Sequence, residues 1–165
     1  MHYAKIKRFD IANGVGIRTS VFVSGCSNKC KGCFNQEAWD FTYGQEFTKE
    51  VEDLFISYAK SDRISHVSLL GGEIFHQDLD IILNLVKRLK TEVNKPIYVW
   101  TGFTWEELIK DNHKKDILQY IDIITDGQFI QEQKNVNLLY AGSNNQRHIL
   151  VQESLNQNKI IIKTE

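Results

Sequence analysis

Three cysteines are the residues of this chain whose type and spacing most clearly indicate chemistry. Cys26, Cys30 and Cys33 are the only cysteines among its 165 residues, and they form a C-x3-C-x2-C pattern. A [4Fe–4S] cube usually takes four thiolates, one for each iron. Three thiolates in one short loop therefore predict a cube with one iron left open, where a substrate or cosubstrate can bind.

The cysteine loop has a second interpretation, a structural zinc site. A histidine would then supply the fourth ligand, from the set His2, His66, His76, His113 and His148. Structural zinc sites usually combine two C-x2–4-C knuckles that lie far apart in the sequence, and these cysteines make only one. The pattern favours the cluster, and a zinc-binding interaction module remains the alternative from a different functional class.

A glycine-rich turn is the second feature that points to a site. Gly71, Gly72 and Glu73 directly follow an apolar run. Two glycines let the backbone come close to a ligand, and the neighbouring carboxylate can accept hydrogen bonds from an ammonium group. Taken alone, the turn predicts a plain strand-to-helix connection. Together with the cysteine loop, it predicts a ligand site.

Composition and charge restrict the function classes. Apolar residues make up 42% of the chain, charged residues 25%, and the formal net charge is −1. This balance gives no electrostatic footprint for nucleic acid or for an anionic membrane. No run approaches the roughly 18 apolar residues of a spanning helix, and the first residues lack the apolar core of a signal peptide. We expect a cytoplasmic protein with neither nucleic acid nor membrane as a partner.

The cysteine count and the absence of linkers bear on organisation. An odd, clustered set of cysteines is a poor disulfide framework and agrees with a reducing compartment. No Gly/Ser linker, low-complexity tract or repeat interrupts the chain. The sequence therefore predicts a single domain over residues 1–165.

Strands and helices are expected to alternate. Runs rich in β-branched residues predict buried strands, clearly at 19–24, 66–70, 97–101 and 121–125, and more weakly at 147–151 and 159–162. Helical periodicity lies between them, with Thr48, Asp78 or Asp80, and Thr104 as candidate N-caps. Such alternation predicts a parallel sheet with helical crossovers.

The predicted fold class is α/β. A complete eightfold barrel needs about 250 residues, so a partial, open (β/α) barrel of about six or fewer units with a mainly parallel sheet is expected. The cysteine loop and the segments 71–73, 102–103 and 126–129 each follow a predicted strand. Parallel β/α folds build their sites at that edge, so the four segments are expected to converge.

These residues resemble a known family. The cysteine pattern is similar to the signature of radical S-adenosylmethionine (SAM) enzymes, and residues 71–73 resemble their motif for the methionine amino group. Residues 10–18 look like the segment that precedes the cysteines in activases of glycyl-radical enzymes. Further segments resemble the activating proteins of anaerobic (class III) ribonucleoside-triphosphate reductase: 22–26, 32–35, 39–41, 100–104, 126–129 and 142–147. The resemblance covers about residues 3–150.

The resemblance implies a reaction. SAM would bind the open iron of the [4Fe–4S] cluster through its amino and carboxylate groups. One electron would enter the sulfonium and release methionine and a 5′-deoxyadenosyl radical. That radical would take a hydrogen atom from a glycine of the reductase. No catalytic side chain is expected beyond the cluster and SAM, because the cofactors carry the chemistry.

The resemblance also implies site residues. Cys26, Cys30 and Cys33 would be the metal ligands. Gly71, Gly72 and Glu73 would hold the methionine end of SAM, while Gly32, Cys33 and Phe34 would lie near its nucleoside. Asp126 would line the site beneath the ribose or beside a bound cation. From the residues alone, Asp126 is equally a turn or helix-cap residue, since Asp-Gly is a common turn pair.

The implied partners are the large subunit of the anaerobic reductase and a one-electron donor such as a flavodoxin. Residues 142–147 would border the opening through which the reductase glycine enters, and Arg147 would contribute to binding it. An activase of another glycyl-radical enzyme, of the formate-lyase type, is the alternative within enzymes. Val15 and Ile74 stand where the family usually has proline, so softer loops are expected at both positions.

Overall fold

A computed structural model, which describes residues 1–164, arranges the chain around one seven-stranded sheet. The strands are β1 (His2–Asp10), β2 (Arg18–Ser24), β3 (Gln45–Glu46), β4 (His66–Gly71), β5 (Ile97–Trp100), β6 (Ile123–Asp126) and β7 (Arg147–Leu150). Their order across the sheet is β3-β1-β2-β4-β5-β6-β7. The two edges are β3 and β7, so the sheet is open.

The described part of the chain contains five α-helices, which connect or follow the strands: α1 (Lys49–Ala59), α2 (Leu79–Arg88), α3 (Trp105–Leu108), α4 (Asn112–Leu118) and α5 (Val151–Gln157). The predicted caps are confirmed at Thr48, Asp78 and Thr104, whose side chains accept backbone N–H groups of the first turns of α1, α2 and α3. Asp80, the other candidate, lies inside the first turn of α2. Within residues 1–164, none of the helices combines the length and apolar character needed to cross a bilayer.

The expectation of a mainly parallel sheet holds only for its centre. Strands β2, β4, β5 and β6 run parallel, whereas β1, β3 and β7 pair antiparallel. The physical reason lies in the connections. No helix separates β1 from β2, and a single 3₁₀ turn at Gln131–Gln133 lies between β6 and β7. A parallel neighbour would need a crossover of a dozen or more residues, usually helical.

Two strands were not predicted and one predicted strand does not form. Strand β1 carries Lys5, Lys7 and Arg8 and is only half buried, so it lacks the continuous apolar run that marks a central strand. The two residues of strand β3 are exposed. Residues 159–162 contribute only an isolated bridge between Ile149 and Ile162. The strand predicted at 121–125 begins two residues later, at Ile123.

The two faces of the central strands differ in character. One face packs under the helices through the buried residues Val21, Leu69, Val99 and Ile124. Alternate residues point to the opposite face. This second face, called the inner face below, carries buried or half-buried residues of mainly polar type: Arg18, Ser20, Ser68, Tyr98, Trp100 and Thr125. Helices therefore cover one side, and the chemistry-bearing residues lie on the other.

The cap of α3 gives a direct test of the local structure. The Thr104 hydroxyl accepts the Glu107 N–H at 3.4 Å, and the Glu107 carboxylate accepts the Thr104 N–H at 2.7 Å. Thr104→Ala is expected to lower the free energy of unfolding by about 1 kcal/mol, measured by urea denaturation. Ser57→Ala is the control, because this exposed hydroxyl only donates to the Leu54 carbonyl of its own helix. Equal losses in both variants would contradict the cap assignment.

Candidate metal centre

A cavity of about 150 Å³ brings the cysteine loop and the glycine-rich turn together. Its wall includes Cys26, Cys30 and Cys33, and it lies past the carboxyl ends of β2, β4, β5 and β6. The other lining residues are Asn28, Asn35, Trp39, Gly71, Gly72, Glu73, Trp100, Thr101, Gly102, Gly127, Phe129 and Gln146. The four segments expected to converge do meet here, and we call this space the cysteine cavity.

Backbone hydrogen bonds hold the cysteine loop without regular secondary structure. The Gly25 N–H donates to the Ala38 carbonyl at 2.8 Å, and the Cys26 N–H donates to the Trp39 carbonyl at 3.3 Å. The Cys33 N–H closes a turn on the Cys30 carbonyl at 3.1 Å. These contacts fix where the three thiols lie relative to one another.

His76 also supports this loop. Its Nδ1 atom accepts the Ser27 N–H at 3.1 Å, which places the ring proton of the neutral imidazole on Nε2. Burial lowers the pKa of His76, and the nearby charge of Lys114 lowers it further. A neutral ring keeps this acceptor available. The sequence offers His76 only as a candidate zinc ligand, so its contact with the cysteine loop is a finding of the structure.

The donor set suits an iron–sulfur cluster. All three cysteines are free thiols, and burial raises the pKa of Cys26 and of Cys30. Metals bind the thiolate, so loading releases protons from these groups. Among residues 1–164, no three His, Cys, Asp or Glu side chains converge on one point as ligands of a single metal ion do. A cube carries its irons at separate corners, so three thiolates bound to it need not converge.

Glu73 ties the parts of the cavity together. Its carboxylate is only 1% exposed and accepts four hydrogen bonds. The donors are the Gly102 N–H at 2.6 Å, the Thr101 hydroxyl at 2.8 Å, the Phe75 N–H at 3.1 Å and the Asn28 amide at 3.4 Å. Burial raises the pKa of Glu73, and these hydrogen bonds oppose that effect.

Four donors match the roughly four acceptor positions of a carboxylate. The contact with a ligand ammonium that the sequence predicts for Glu73 therefore requires one donor to give way. Asn28 makes the longest of the four bonds and is the most readily displaced. Through these hydrogen bonds, Glu73, just past the end of β4, links the cysteine loop with the end of β5.

Close backbone approach explains both glycines of the turn. Gly71 has φ +115°, and a Cβ there would lie 2.6 Å from the Val23 carbonyl oxygen. A Cβ on Gly72 would lie 2.6 Å from the Gly25 carbonyl oxygen. The turn therefore needs glycine for its packing on β2 and the cysteine loop, independently of any ligand. Ile74, at the usual proline position, is fully buried in the core; the loop softening expected there stays a prediction.

Three predicted site residues lie outside the cysteine cavity. Gly32 has φ +73° and faces the Gln131 side chain. The Phe34 ring is fully exposed and does not border the cavity. Asp126 is buried beside the cysteine cavity, and its carboxylate accepts the Trp105 N–H at 2.7 Å. The structure thus brings the cysteines and residues 71–73 together and leaves Gly32, Phe34 and Asp126 at the periphery.

A larger cavity of about 540 Å³ adjoins the first and shares Gly102 and Gly127 with it. Its other lining residues are Thr104, Glu106, Glu107, Asp126, Gln128, Ile130, Asn145 and Arg147. The two cavities therefore adjoin at these two glycines, and together they are called the cleft below. Asp126 belongs to the outer part of that cleft.

Arg147 is engaged within the protein. Its guanidinium donates to both Asp126 carboxylate oxygens, at 3.0 and 2.5 Å, and to Glu106 at 3.1 and 2.8 Å. The contribution of Arg147 to reductase binding stays a prediction. Within the protein, its guanidinium neutralises the buried Asp126.

Arg147→Ala is expected to lower the free energy of unfolding by about 1–3 kcal/mol, because Asp126 would keep its burial and lose its counter-ion. The measurement is denaturant unfolding, with Arg63→Ala as the control, since Arg63 is exposed and forms no ion pair among the described residues. A stability unchanged from the parent protein would contradict the structural role.

Several residues that line the cysteine cavity were not predicted from the sequence as site residues. Asn28 lies inside the cysteine loop, but its bond to Glu73 spans 45 residues and has no local signal. Trp39, Phe129 and Gln146 belong to segments that resemble the family, so a signal was present without a role attached. Trp100, the first residue of the family-like segment 100–104, also borders the cavity.

Comparison with known proteins adds independent findings. Residues 12–149 match a family described as a 4Fe-4S single cluster domain. The chain is 44% identical over 150 residues to the anaerobic ribonucleoside-triphosphate reductase-activating protein of Vibrio cholerae, covering 88% of this chain and 96% of that one. Proteins of the same name in Haemophilus influenzae and Pasteurella multocida are 41% and 39% identical, each over 88% of this chain and 96% and 95% of their own.

Proposed function

The chain belongs to the family of anaerobic ribonucleoside-triphosphate reductase-activating proteins, and on this premise we propose that it cleaves SAM reductively to install a glycyl radical on that reductase. The observation that carries the proposal is the meeting of three free thiols with the turn at residues 71–73 in one cavity. Oxidoreductase chemistry of the radical SAM type is what this arrangement serves.

Cys26, Cys30 and Cys33 are the residues that would hold the [4Fe–4S] cluster. When bound, the cluster supplies one electron to the sulfonium of SAM, which yields methionine and a 5′-deoxyadenosyl radical. The chain's own part is to position the cluster and SAM and to exclude water from the cavity. Trp39, Trp100 and Phe129 give the cavity apolar walls beside the thiols, and such walls strengthen the polar contacts inside.

The cleft offers SAM a place for each of its ends. The turn at residues 71–73 supports the methionine end, because its glycines allow close approach and Asn28 can release one oxygen of Glu73. The outer cavity of about 540 Å³ has room for the nucleoside, with Asp126 on its wall. Gly32 and Phe34 would take part only if the cysteine loop shifts when the cluster and SAM bind.

The reductase must present a glycine backbone to this cleft. The large subunit of the anaerobic reductase is the proposed partner, and its glycine-bearing loop would enter through the outer cavity past residues 142–147. Fully exposed Phe34 lies in the same loop as the cysteines and offers an apolar anchor for that contact. A flavodoxin-type protein is the proposed one-electron donor.

Other parts of the proposal concern the chain as a whole. One seven-stranded sheet with one core supports a single domain over residues 1–165. The proposed architecture is a partial, open barrel curved around the inner face. The unpaired thiols support a reducing, cytoplasmic location. Neither nucleic acid nor membrane is a proposed partner, given the net charge of −1.

The deciding experiment is anaerobic reconstitution with iron and sulfide, followed by electron paramagnetic resonance of the reduced protein with and without SAM. We expect a cluster signal that changes when SAM is added, and then a glycyl radical on the anaerobic reductase. A formate-lyase-type enzyme serves as the partner control and should stay unlabelled. Preferential labelling of that control would move the chain to the other activase class, and zinc content without iron uptake would overturn the cluster.

A further inference from the structure

The inner face of the sheet holds a separate cavity at the amino ends of the parallel strands, called the second cavity below. It measures about 220 Å³ and lies away from the cysteine cavity. It is lined by Val15, Arg18, His66, Tyr98, Ile123, Leu139, Tyr140, His148 and Lys163. Arg18, His66 and Ile123 are the first residues of β2, β4 and β6, whereas the cysteine cavity lies past the opposite ends of these strands. None of these residues takes part in the proposed radical chemistry.

Arg18 is a buried cation in the wall of this second cavity. The residue is only 3% exposed. Its guanidinium donates to the Val15 carbonyl at 3.1 Å and to the Ser68 hydroxyl at 3.0 Å, and it stacks 5.2 Å from the Tyr98 ring centroid. These partners are all neutral, and they use only part of the five N–H donors of arginine.

Among residues 1–164, no Asp or Glu carboxylate forms an ion pair with Arg18, so this charge has no counter-ion in the described part of the chain. Asp10 is the acid that acts on it from a distance, and its carboxylate is already engaged by the Ala12 N–H, the Asn13 amide and Lys7. A buried charge without a counter-ion is strongly destabilising, because it loses its hydration and gains no partner. An anion in the cavity would remove that cost.

His148, another polar residue of the wall, is satisfied within the protein. His148 Nδ1 lies 2.8 Å from both the Tyr98 and Thr125 hydroxyls, and His148 Nε2 lies 2.8 Å from the Leu139 carbonyl. A proton on Nε2 donates to that carbonyl and leaves Nδ1 as an acceptor for the hydroxyls. The charges that remain to attract a ligand are those of Arg18 and of Lys163 on the cavity wall.

We propose that this second cavity binds a small organic carboxylate, whose charged end pairs with Arg18 and whose apolar body packs against Tyr98, Ile123 and Leu139. Guanidinium matches the geometry of a carboxylate. The apolar wall of this cavity favours a ligand with an apolar body over inorganic phosphate, which would leave Ile123 and Leu139 without a packing partner. A cavity of about 150 Å³ is known to hold benzene, so this larger one suits a compound the size of benzoate.

The second cavity is connected to the first through Trp100. Its indole N–H donates to the Tyr140 carbonyl at 2.7 Å, and its ring centroid lies 4.1 Å from that of Tyr98. Trp100 borders the cysteine cavity, while Tyr98 and Tyr140 border the second one. A ligand that moves Tyr98 or Tyr140 therefore acts on a wall of the radical site.

Binding is tested on the cluster-loaded protein by nuclear magnetic resonance of ¹³C-methyl isoleucine, with sodium benzoate as the probe. The Ile123 methyl signal is expected to shift saturably, while that of Ile82 in the core of α2 stays in place. Benzyl alcohol has the same body without the charge and should bind at least about tenfold more weakly. Inorganic phosphate has the charge without the body and should cause no saturable shift.

Arg18→Gln is expected to abolish the saturable benzoate shift, and the matched variant Arg63→Gln to retain it. If Arg18→Gln does not fold, as collapsed methyl dispersion would reveal, Leu139→Trp decides the question. Leu139 is half exposed at the rim, so tryptophan there narrows the cavity without disturbing the core. Equal affinity for benzoate and benzyl alcohol, saturable binding of phosphate, unchanged binding in Leu139→Trp, or no benzoate binding at all would each overturn the proposal.

Discussion

Replacing Cys30 with serine is expected to abolish cluster assembly and to reduce SAM cleavage to background. Iron–sulfur clusters require soft thiolate ligands, and a serine hydroxyl is hard and far less acidic. The chain has no fourth cysteine that could substitute. The measurements are iron and sulfide content after anaerobic reconstitution and the yield of 5′-deoxyadenosine. The same loss is expected for serine at Cys26 and at Cys33.

Lys31→Ala is the matched control within the same loop. Its ammonium pairs with Glu132, and both side chains are largely exposed, so the pair contributes little to stability. This variant should keep its cluster and its cleavage activity. Full cleavage by any of the three serine variants would remove that cysteine from the ligand set, and it would leave two thiolates where the proposed site needs three.

Replacing Glu73 with glutamine is expected to lower both stability and SAM cleavage. Glutamine keeps one acceptor oxygen and presents an NH₂ group to at least one of the donors around Glu73. An N–H group would then face the Gly102 N–H, now 2.6 Å from the carboxylate, or the Thr101 hydroxyl and Phe75 N–H on the other oxygen. Each buried donor left without an acceptor costs about 1–3 kcal/mol.

Glu73→Gln should lower SAM cleavage as well as the free energy of unfolding. The carboxylate joins the cysteine loop to the ends of β4 and β5, so its change alters the walls of the cysteine cavity. We expect SAM cleavage to fall by at least about tenfold, while iron content stays near that of the parent protein, since all three cysteines remain. Cleavage is measured below the melting temperature of the variant.

Glu46→Gln is the control for this charge change, because Glu46 lies exposed on the edge strand β3. It should match the parent protein in both measurements. Parental stability and cleavage in Glu73→Gln would show that the four hydrogen bonds do not hold the cavity together. Loss of iron alone, with SAM affinity kept, would place Glu73 with the cluster loop and not with the cosubstrate.

Local patterns were sufficient to predict that the cysteine loop and the glycine-rich turn meet. The cysteine spacing is contained in eight residues, and the apolar runs before residues 71, 101 and 126 mark the ends of β4, β5 and β6. Parallel neighbours put those ends at one edge of a sheet. The caps at Thr48, Asp78 and Thr104 are equally local, because a capping side chain bonds within three residues. For these reasons the convergence of the site was predictable without coordinates.

Strand direction at the two sides of the sheet was less predictable. Strand β1 is only partly buried, because its neighbour on one side is the two-residue strand β3. Partial burial allows charged residues in β1, and these hide the apolar signal of a strand. Strand β7 carries an apolar signal that is the same for parallel and antiparallel pairing. Only the absence of a crossover helix between β6 and β7 decides its direction.

The cysteine pattern and the strand ends are thus determined by the sequence, because each is encoded within a few neighbouring residues. The partners of buried charges were decided only by the tertiary structure. Glu73 finds donors 28, 29 and 45 residues away, and Arg147 finds its carboxylates 21 and 41 residues away. Arg18 is left facing a cavity with no carboxylate partner within the described chain. No local periodicity encodes such contacts, because they depend on which strands become neighbours and on how far their loops reach.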